Sequence, residues 1–122
     1  METITQEEKD LLLKDLCARL PYGVKMNHIA DDKINPLILI GIAGSMITLA
    51  GNGGFASIDI KEYKPYLFPI SSMTEEERIT IGNEFAYGQP HKAMDILHQR
   101  HIDYKGLIPM GLAIDATGKN IY

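Results

Sequence analysis

The chain has 122 residues, of which 45% are hydrophobic and 23% are charged, a balance typical of one globular domain with a single core. Its net charge is −4 and its 12 Lys and Arg residues are scattered, which disfavours a basic face that tracks phosphates. The most apolar stretch, residues 37–50, is shorter than the roughly 20 residues of a membrane span. The acidic N-terminus lacks the layout of a secretory signal, so we expect a cytoplasmic protein with no membrane contact.

The chain is expected to begin with one helix. Thr5 and Glu8 have the spacing of a capping box. The apolar residues that follow recur on one face at helical spacing: Leu12, Leu13, Leu16, Cys17 and Leu20. We expect a helix over residues 6–20 that ends at Pro21. Because Cys17, the single cysteine, lies on the predicted core face, we expect a buried, inert thiol in a reducing compartment.

The next region, up to residue 60, is expected to form a sheet. Short β-prone runs occur at residues 24–29, 37–42, 46–49 and 55–60. Turns are expected at 31–33 and at 51–54, where Gly-Asn-Gly-Gly is a strong hairpin signal. Gly41 and Gly44 indicate a bend or bulge, since a phosphate-binding turn would need a helix after it. We therefore expect a small, strongly bent antiparallel sheet, an SH3-like partial barrel.

The same region carries an interaction signal. Residues 34–58 include no charged side chain, and residues 37–42 are apolar at both odd and even positions, so a strand there needs cover on both faces. One small domain covers one face more easily than two. We therefore predict that this region makes the protein self-associate or bind a protein partner. The alternative is a closed barrel that the helices cover, which would leave a monomer.

A proline-bound segment follows the sheet region. Pro65 and Pro69 fix the backbone, and the residues between them are apolar, including Tyr66 and Leu67. We expect an extended strap that packs on the core with Tyr66 and Leu67 buried. A ligand groove or a phosphorylatable Ser/Thr cluster is the alternative interpretation of this segment.

The last part of the chain is expected to be mainly helical. Thr74 and Glu77 form a second capping box, and Pro90 suits the first turn of another helix. The expected elements are helices at 75–85 and 90–101, a turn at 104–109 that Asp103 caps, and a last strand at 112–115. The fold class is therefore α+β in a single domain. Its predicted regions are a helix at 1–22, a β-sheet at 23–60, a strap at 61–73 and a helical region at 74–122.

One helical triplet has the chemistry of a metal site. His91, Asp95 and His98 lie at i, i+4 and i+7, which places them within about a 60° arc opposite the apolar stripe. Imidazole and carboxylate groups at this spacing can bind a transition metal. The three residues are weak candidates because no fourth ligand has a recognisable spacing, and a solvated polar face is the simpler interpretation. We expect no metal, no cofactor and no catalytic residue.

A second candidate site combines basic and aromatic side chains. Its members are Lys61, Tyr63, Lys64, Tyr66 and Phe68. Such residues can stack bases and contact the backbone of single-stranded nucleic acid, although Asp59 and Glu62 offset part of the local charge. This pattern is the sequence basis for nucleic acid as an alternative partner.

Several strings in the chain resemble a known family. They are LCARLPYG at 16–23, KPYLFPISSMTEEE at 64–77, DYKGLI at 103–108 and GLAI at 111–114. The chain is similar in these strings to short hypothetical proteins of Bacteroides-type gut bacteria, their phages and other mobile elements. The resemblance implies a mobile-element origin and a bacterial cytoplasm, and it brings no activity or site residue with it.

The sequence favours a non-enzymatic function. The leading hypothesis is a protein-binding or adaptor module of phage or mobile-element origin. A single-stranded nucleic-acid binder is the first alternative, and a small metal-dependent enzyme is the second.

Overall fold

The computed structural model describes residues 4–29, 36–51 and 53–122. It shows a mixed α+β fold with an N-terminal helix, a partly curled seven-stranded sheet and C-terminal helices. The helices are α1 (Gln6–Arg19), α2 (Glu75–Ala86) and α3 (Pro90–Gln99). The strands are β1 (Lys25–His28), β2 (Leu37–Ala43), β3 (Met46–Gly51), β4 (Gly54–Asp59), β5 (Tyr63–Pro69), β6 (Ile102–Asp103) and β7 (Ile114–Asp115). The turn predicted at 31–33 lies outside the described residues.

The sheet order is β4-β3-β2-β1-β5-β6, and β7 also pairs with β5. Strands β1 to β5 pair antiparallel, whereas β6 and β7 run parallel to β5. Strands β1 to β4, which lie within 23–60, pair antiparallel as expected, but the sheet continues beyond that region and is mixed there. The predicted strap is itself strand β5. The mainly helical region contributes β7, which lies within the strand predicted at 112–115, and β6, which was not predicted. Backbone donors and acceptors in a buried extended segment need partners, and β1, β6 and β7 supply them.

Both predicted capping boxes are confirmed. The Thr5 hydroxyl accepts a hydrogen bond from the Glu8 amide at 3.1 Å, and the Thr5 amide donates to the Glu8 carboxylate at 3.0 Å. Thr74 and Glu77 repeat this arrangement at the start of α2, with distances of 3.1 and 2.9 Å. The amide and hydroxyl of Thr74 lower the pKa of Glu77. Each helix begins where the sequence predicts because each cap is a local interaction.

The prediction that Cys17 is buried is wrong, because its side chain is exposed. The buried face of α1 includes Asp15 and Arg19 beside Leu12 and Leu16, so it is rotated away from the face that the apolar residues alone indicate. Arg19 Nε lies 2.7 Å from Asp15 Oδ2, and both side chains are fully buried. A second Arg19 nitrogen donates to the Ile102 carbonyl. This ion pair joins α1 to β6 and turns Cys17 toward solvent.

Strand β5 lies at the centre of the fold. Tyr66 is 2% exposed and Leu67 is fully buried, which confirms the predicted burial of both residues. Leu67 belongs to the main core between α1 and the sheet, and Tyr66 packs with Ala116 and Ile121 on the other side. The C-terminal segment, residues 116–122, therefore covers β5 on the sheet face opposite α1. None of the helices within the described residues has both the length and the apolar character that a membrane span requires.

Candidate protein-interaction surface

Strands β2, β3 and β4 form a meander with one open face. The register places Ile38, Ala50 and Phe55 in one cross-strand row, and Gly41, Thr48 and Ser57 in the next. Side chains alternate between the two faces of a strand, so the same face also carries Met46, whose row ends the face with Ala43 and Asp59. We call this set the outer hairpin face: Ile38, Gly41, Met46, Thr48, Ala50, Phe55 and Ser57. The opposite face carries Leu39, Ile47 and Leu49, which are buried against α1 in the main core.

The outer hairpin face is apolar and open to solvent. Phe55 is 77% exposed, and Ile38 and Met46 are also exposed. Ile40 is 50% exposed, at the point where the pairing of β2 with β3 is irregular between Leu39 and Gly41. No charged residue occurs from position 36 to position 58. An exposed apolar patch of this kind is typical of an interaction site.

The contacts of the C-terminal segment show which strands it covers on the side of the sheet that carries Phe55. Lys25 of β1 pairs with Ile38, so it extends the row of Phe55, Ala50 and Ile38 across the sheet. The Lys25 amide donates to the Tyr122 hydroxyl at 2.7 Å, and Lys25 Nζ donates to the Ile121 carbonyl at 2.7 Å. Within the described residues, the C-terminal segment thus reaches β1 and leaves β2, β3 and β4 uncovered on this side.

Strand β4 is an edge strand of the sheet. The Ile60 amide donates to the Ser45 carbonyl at 3.0 Å, which fixes the alternation of hydrogen-bonded pairs along β3 and β4. Ala56 and Ile58 therefore direct their backbone groups toward β3, and Phe55 and Ser57 direct theirs toward the open edge. Natural edge strands usually carry a Pro, a Lys or a bulge that blocks pairing. Residues 54–58 contain neither Pro nor Lys, and the β3–β4 register is continuous.

The hairpin predicted at 51–54 is confirmed, because Gly51 of β3 pairs with Gly54 of β4. Gly53 has a φ of +86°, a conformation that favours glycine. A Cβ atom at Gly51 would meet the end of the Leu37 side chain, which would have to shift to make room for it. Asn52 lies outside the described residues. The segment around Gly41 and Gly44 is a bulged strand and a turn between antiparallel strands, as expected for a bend.

The histidine triplet does not form a shared solvated face. His91 and Asp95 are exposed, but His98 is buried, which corrects the expectation that all three lie opposite the apolar stripe. His98 Nε2 lies 2.7 Å from the Tyr104 hydroxyl, and burial lowers the pKa of His98. Throughout 4–29, 36–51 and 53–122, no group of three or more His, Cys, Asp or Glu side chains could hold a metal ion.

The basic and aromatic residues of the second candidate site separate into two places. Lys61, Tyr63 and Lys64 line a cavity of about 330 Å³, together with Glu8. Tyr66 is buried under the C-terminal segment. Phe68 is partly buried and packs against the clusters around Tyr66 and α3. The cavity therefore combines two cations with one carboxylate and one aromatic ring.

Two features were missed by sequence reasoning. The buried ion pair of Asp15 and Arg19 has a sequence signal in its i, i+4 spacing, but that spacing is equally common on exposed faces. Lys105 Nζ lies 3.8 Å from the second Asp15 oxygen, which no local pattern indicates. Phe55 was included in a predicted strand, and its exposure depends on which strands the distant residues Ile121 and Tyr122 contact.

Comparison with protein-family models, with curated proteins and with solved structures finds no match for this chain.

Proposed function

We propose that this chain is a non-enzymatic protein-binding module whose contact surface is the outer hairpin face together with the open edge of β4. The observation that carries the proposal is the 77% exposure of Phe55 on a face that has no charged side chain between positions 36 and 58. Aromatic residues are enriched and charged residues are depleted at the centres of protein interfaces.

The size of the exposed apolar groups suits this role. Full burial of a Phe, Ile or Met side chain contributes about 1.5–3 kcal/mol, and the surface offers Phe55 with two further exposed residues, Ile38 and Met46. Ile40, at the irregular pairing of β2 with β3, is exposed as well. A few anchors of this kind supply most of the binding free energy in a typical interface. The free backbone groups of β4 add the donors and acceptors through which an extended strand can dock.

The SH3-like barrel and the mobile-element origin that the sequence predicts are also part of this proposal. The irregular pairing at Leu39 and Gly41 and the tight hairpin at Gly51 both favour the strong twist of an SH3-like barrel. The resemblance to phage and mobile-element proteins suggests a mobile-element origin and a bacterial cytoplasm, whereas the adaptor role rests on the exposed surface alone.

Single-stranded nucleic-acid binding has less support. Burial of Tyr66 removes one of the predicted stacking rings from solvent. The cavity that contains Lys61 and Lys64 also contains Glu8, whose negative charge disfavours a phosphate backbone.

Site-specific photo-cross-linking tests the proposal. A photoreactive amino acid replaces Phe55 in one variant and Phe85, an exposed residue of α2, in the matched control. Both are irradiated in cells that produce the protein. We expect covalent protein adducts, to any partner or to a second copy, at position 55 and few at position 85. Equal labelling at the two positions, or none at position 55, would contradict the proposed surface.

A further inference from the structure

We infer that the β4 edge binds a second copy of this chain, with β4 paired antiparallel to the partner's β4 around a two-fold axis. The inference rests on the proposed function and assigns the occupant of that surface. A two-fold interface uses the same patch on both copies, so the patch must be complementary to itself.

The backbone of β4 meets this requirement. Phe55 and Ser57 direct their N–H and C=O groups toward the open edge, two positions apart. In a two-fold antiparallel pair centred on Ala56, Phe55 lies opposite Ser57 of the partner subunit, and Ala56 lies opposite the partner's Ala56. Each Phe55 and Ser57 pair exchanges two hydrogen bonds, so both outward-facing residues are satisfied on both copies.

The charge distribution favours a second copy over a charged peptide. The chain carries a net charge of −4, so two copies repel unless they meet through a neutral surface. Residues 36–58 are neutral. The carboxylate nearest this segment, Asp59, lies 3.8 Å from Lys9 Nζ of the same chain. Asp59, the last residue of β4, is the one charged side chain of this strand and already lies beside Lys9, so β4 offers little charge complementarity to a basic peptide and none to an acidic one.

The side chains also fit a two-fold pairing. Residues 54–57 are exposed on both faces of β4, so a paired strand would cover groups that α1 leaves open. The large Phe55 ring would lie beside a serine, which leaves space for it. On the opposite face, Leu37, Leu49 and Ala56 line a groove of about 290 Å³, and Ile58 of the partner subunit would lie opposite Gly54 at this groove.

Disulfide trapping tests the register in the whole chain. Cys17→Ser removes the native exposed thiol, and Ala56→Cys is added in that background. The paired Cα atoms at the axis would be about 4.5 Å apart, within the range that a disulfide bridges. The control, Gly54→Cys, has open space around its Cβ. It would be roughly 13 Å from the partner's copy. Sedimentation velocity of the Cys17→Ser parent reports association without any cross-link.

We expect the parent to change from monomer to dimer with concentration, and mild oxidation to link Ala56→Cys at least about tenfold faster than Gly54→Cys. A dimer in which the two cysteines link equally would overturn the inference. A parent that stays monomeric to millimolar concentration would overturn it as well. In either case, adducts at position 55 in the photo-cross-linking experiment would leave the proposed function standing. Absence of those adducts would overturn the proposed function separately.

Discussion

Strands β5 and β4 belong to the same sheet but differ in their position and in their burial. Strand β5 contains Pro65 and Pro69, which usually favour a sheet edge, yet it is central and pairs with β1, β6 and β7. Strand β4 contains no proline, yet it is an edge strand. Pro65 lies at the last paired position with β1, and Pro69 lies at the last with β6. Each proline is thus at the end of a ladder, where a missing donor leaves few bonds unmade.

The difference in burial follows from the neighbours of each strand. Leu67 is covered by the main core, and Tyr66 is covered by the C-terminal segment. Phe55 is a larger apolar residue than Leu67, but it lies beyond the reach of both covers. Residue type alone does not decide burial here, and the apolar strand that keeps its edge open is the one available for binding.

The largest effect on the free energy of unfolding is expected from a change at the buried ion pair of Asp15 and Arg19. Asp15→Ala leaves Arg19 buried beside β6 without its carboxylate, and loss of one partner of a buried ion pair costs about 3–5 kcal/mol. Urea denaturation measures the free energy of unfolding. Asp10→Ala on the exposed face of the same helix is the control and should change it by less than about 0.5 kcal/mol. Equal effects of the two variants would show that the ion pair does not stabilise α1 on the sheet.

A paired truncation compares the two strands directly. Leu67→Ala should lower the free energy of unfolding by about 2–4 kcal/mol because it removes a fully buried side chain. Phe55→Ala should lower it by less than about 0.5 kcal/mol because the ring already faces solvent. Both are measured by urea denaturation at low protein concentration, where association does not contribute. A loss below about half a kilocalorie for Leu67→Ala would mean that β5 is not part of the core.

A smaller effect on stability is expected from pH, through His101, which stacks on Tyr122 in the C-terminal segment that covers β5. His101 stacks on Tyr122 with 3.7 Å between ring centroids. Burial, with the positive charges of Arg19 and Lys25, lowers the pKa of His101 to about 4. The unfolded chain binds this proton near pH 6.5, so protonation favours unfolding. Stability should be constant above about pH 6.5 in this respect and should fall as the pH drops toward 4.

The contribution of His101 is isolated by comparing variants. His101→Asn removes the titrating group, and Asn tolerates the φ of +57° at this position. The decrease in stability between pH 6.5 and pH 4 should be smaller in His101→Asn than in the parent. His91→Asn changes an exposed histidine and should retain the parent's decrease. A parent and His101→Asn with the same pH dependence would show that His101 is not held neutral by the fold.

The features that sequence predicts well are those that local chemistry determines. Thr5 and Thr74 each start a helix through a residue three positions away, and Gly51 and Gly54 close a tight hairpin. The rotation of α1 was not predictable in the same way, because Arg19 is buried through a contact with Ile102, 83 positions along the chain. The parallel pairing of β6 and β7 with β5 is likewise non-local.

The candidate surface was partly predictable. The absence of charge in residues 36–58 indicates that this region requires cover, which is visible in the sequence. Which strand stays exposed is not visible, because it depends on distant contacts such as those of Ile121 and Tyr122 with Lys25. The three residues of the histidine triplet do not share one solvated face for a similar reason, since His98 is buried in a contact with Tyr104.

Amide hydrogen exchange at single residues tests the central claim most directly. It is measured by NMR on dilute and concentrated protein. The account predicts that the amides of Phe55 and Ser57 exchange quickly when dilute and become protected when concentrated. The amides of Ala56 and Ile58, which pair with β3, should be protected at both concentrations. Exchange at Phe55 and Ser57 that does not change with concentration, while Ala56 and Ile58 stay protected, would contradict the claim that the β4 edge pairs with a second copy.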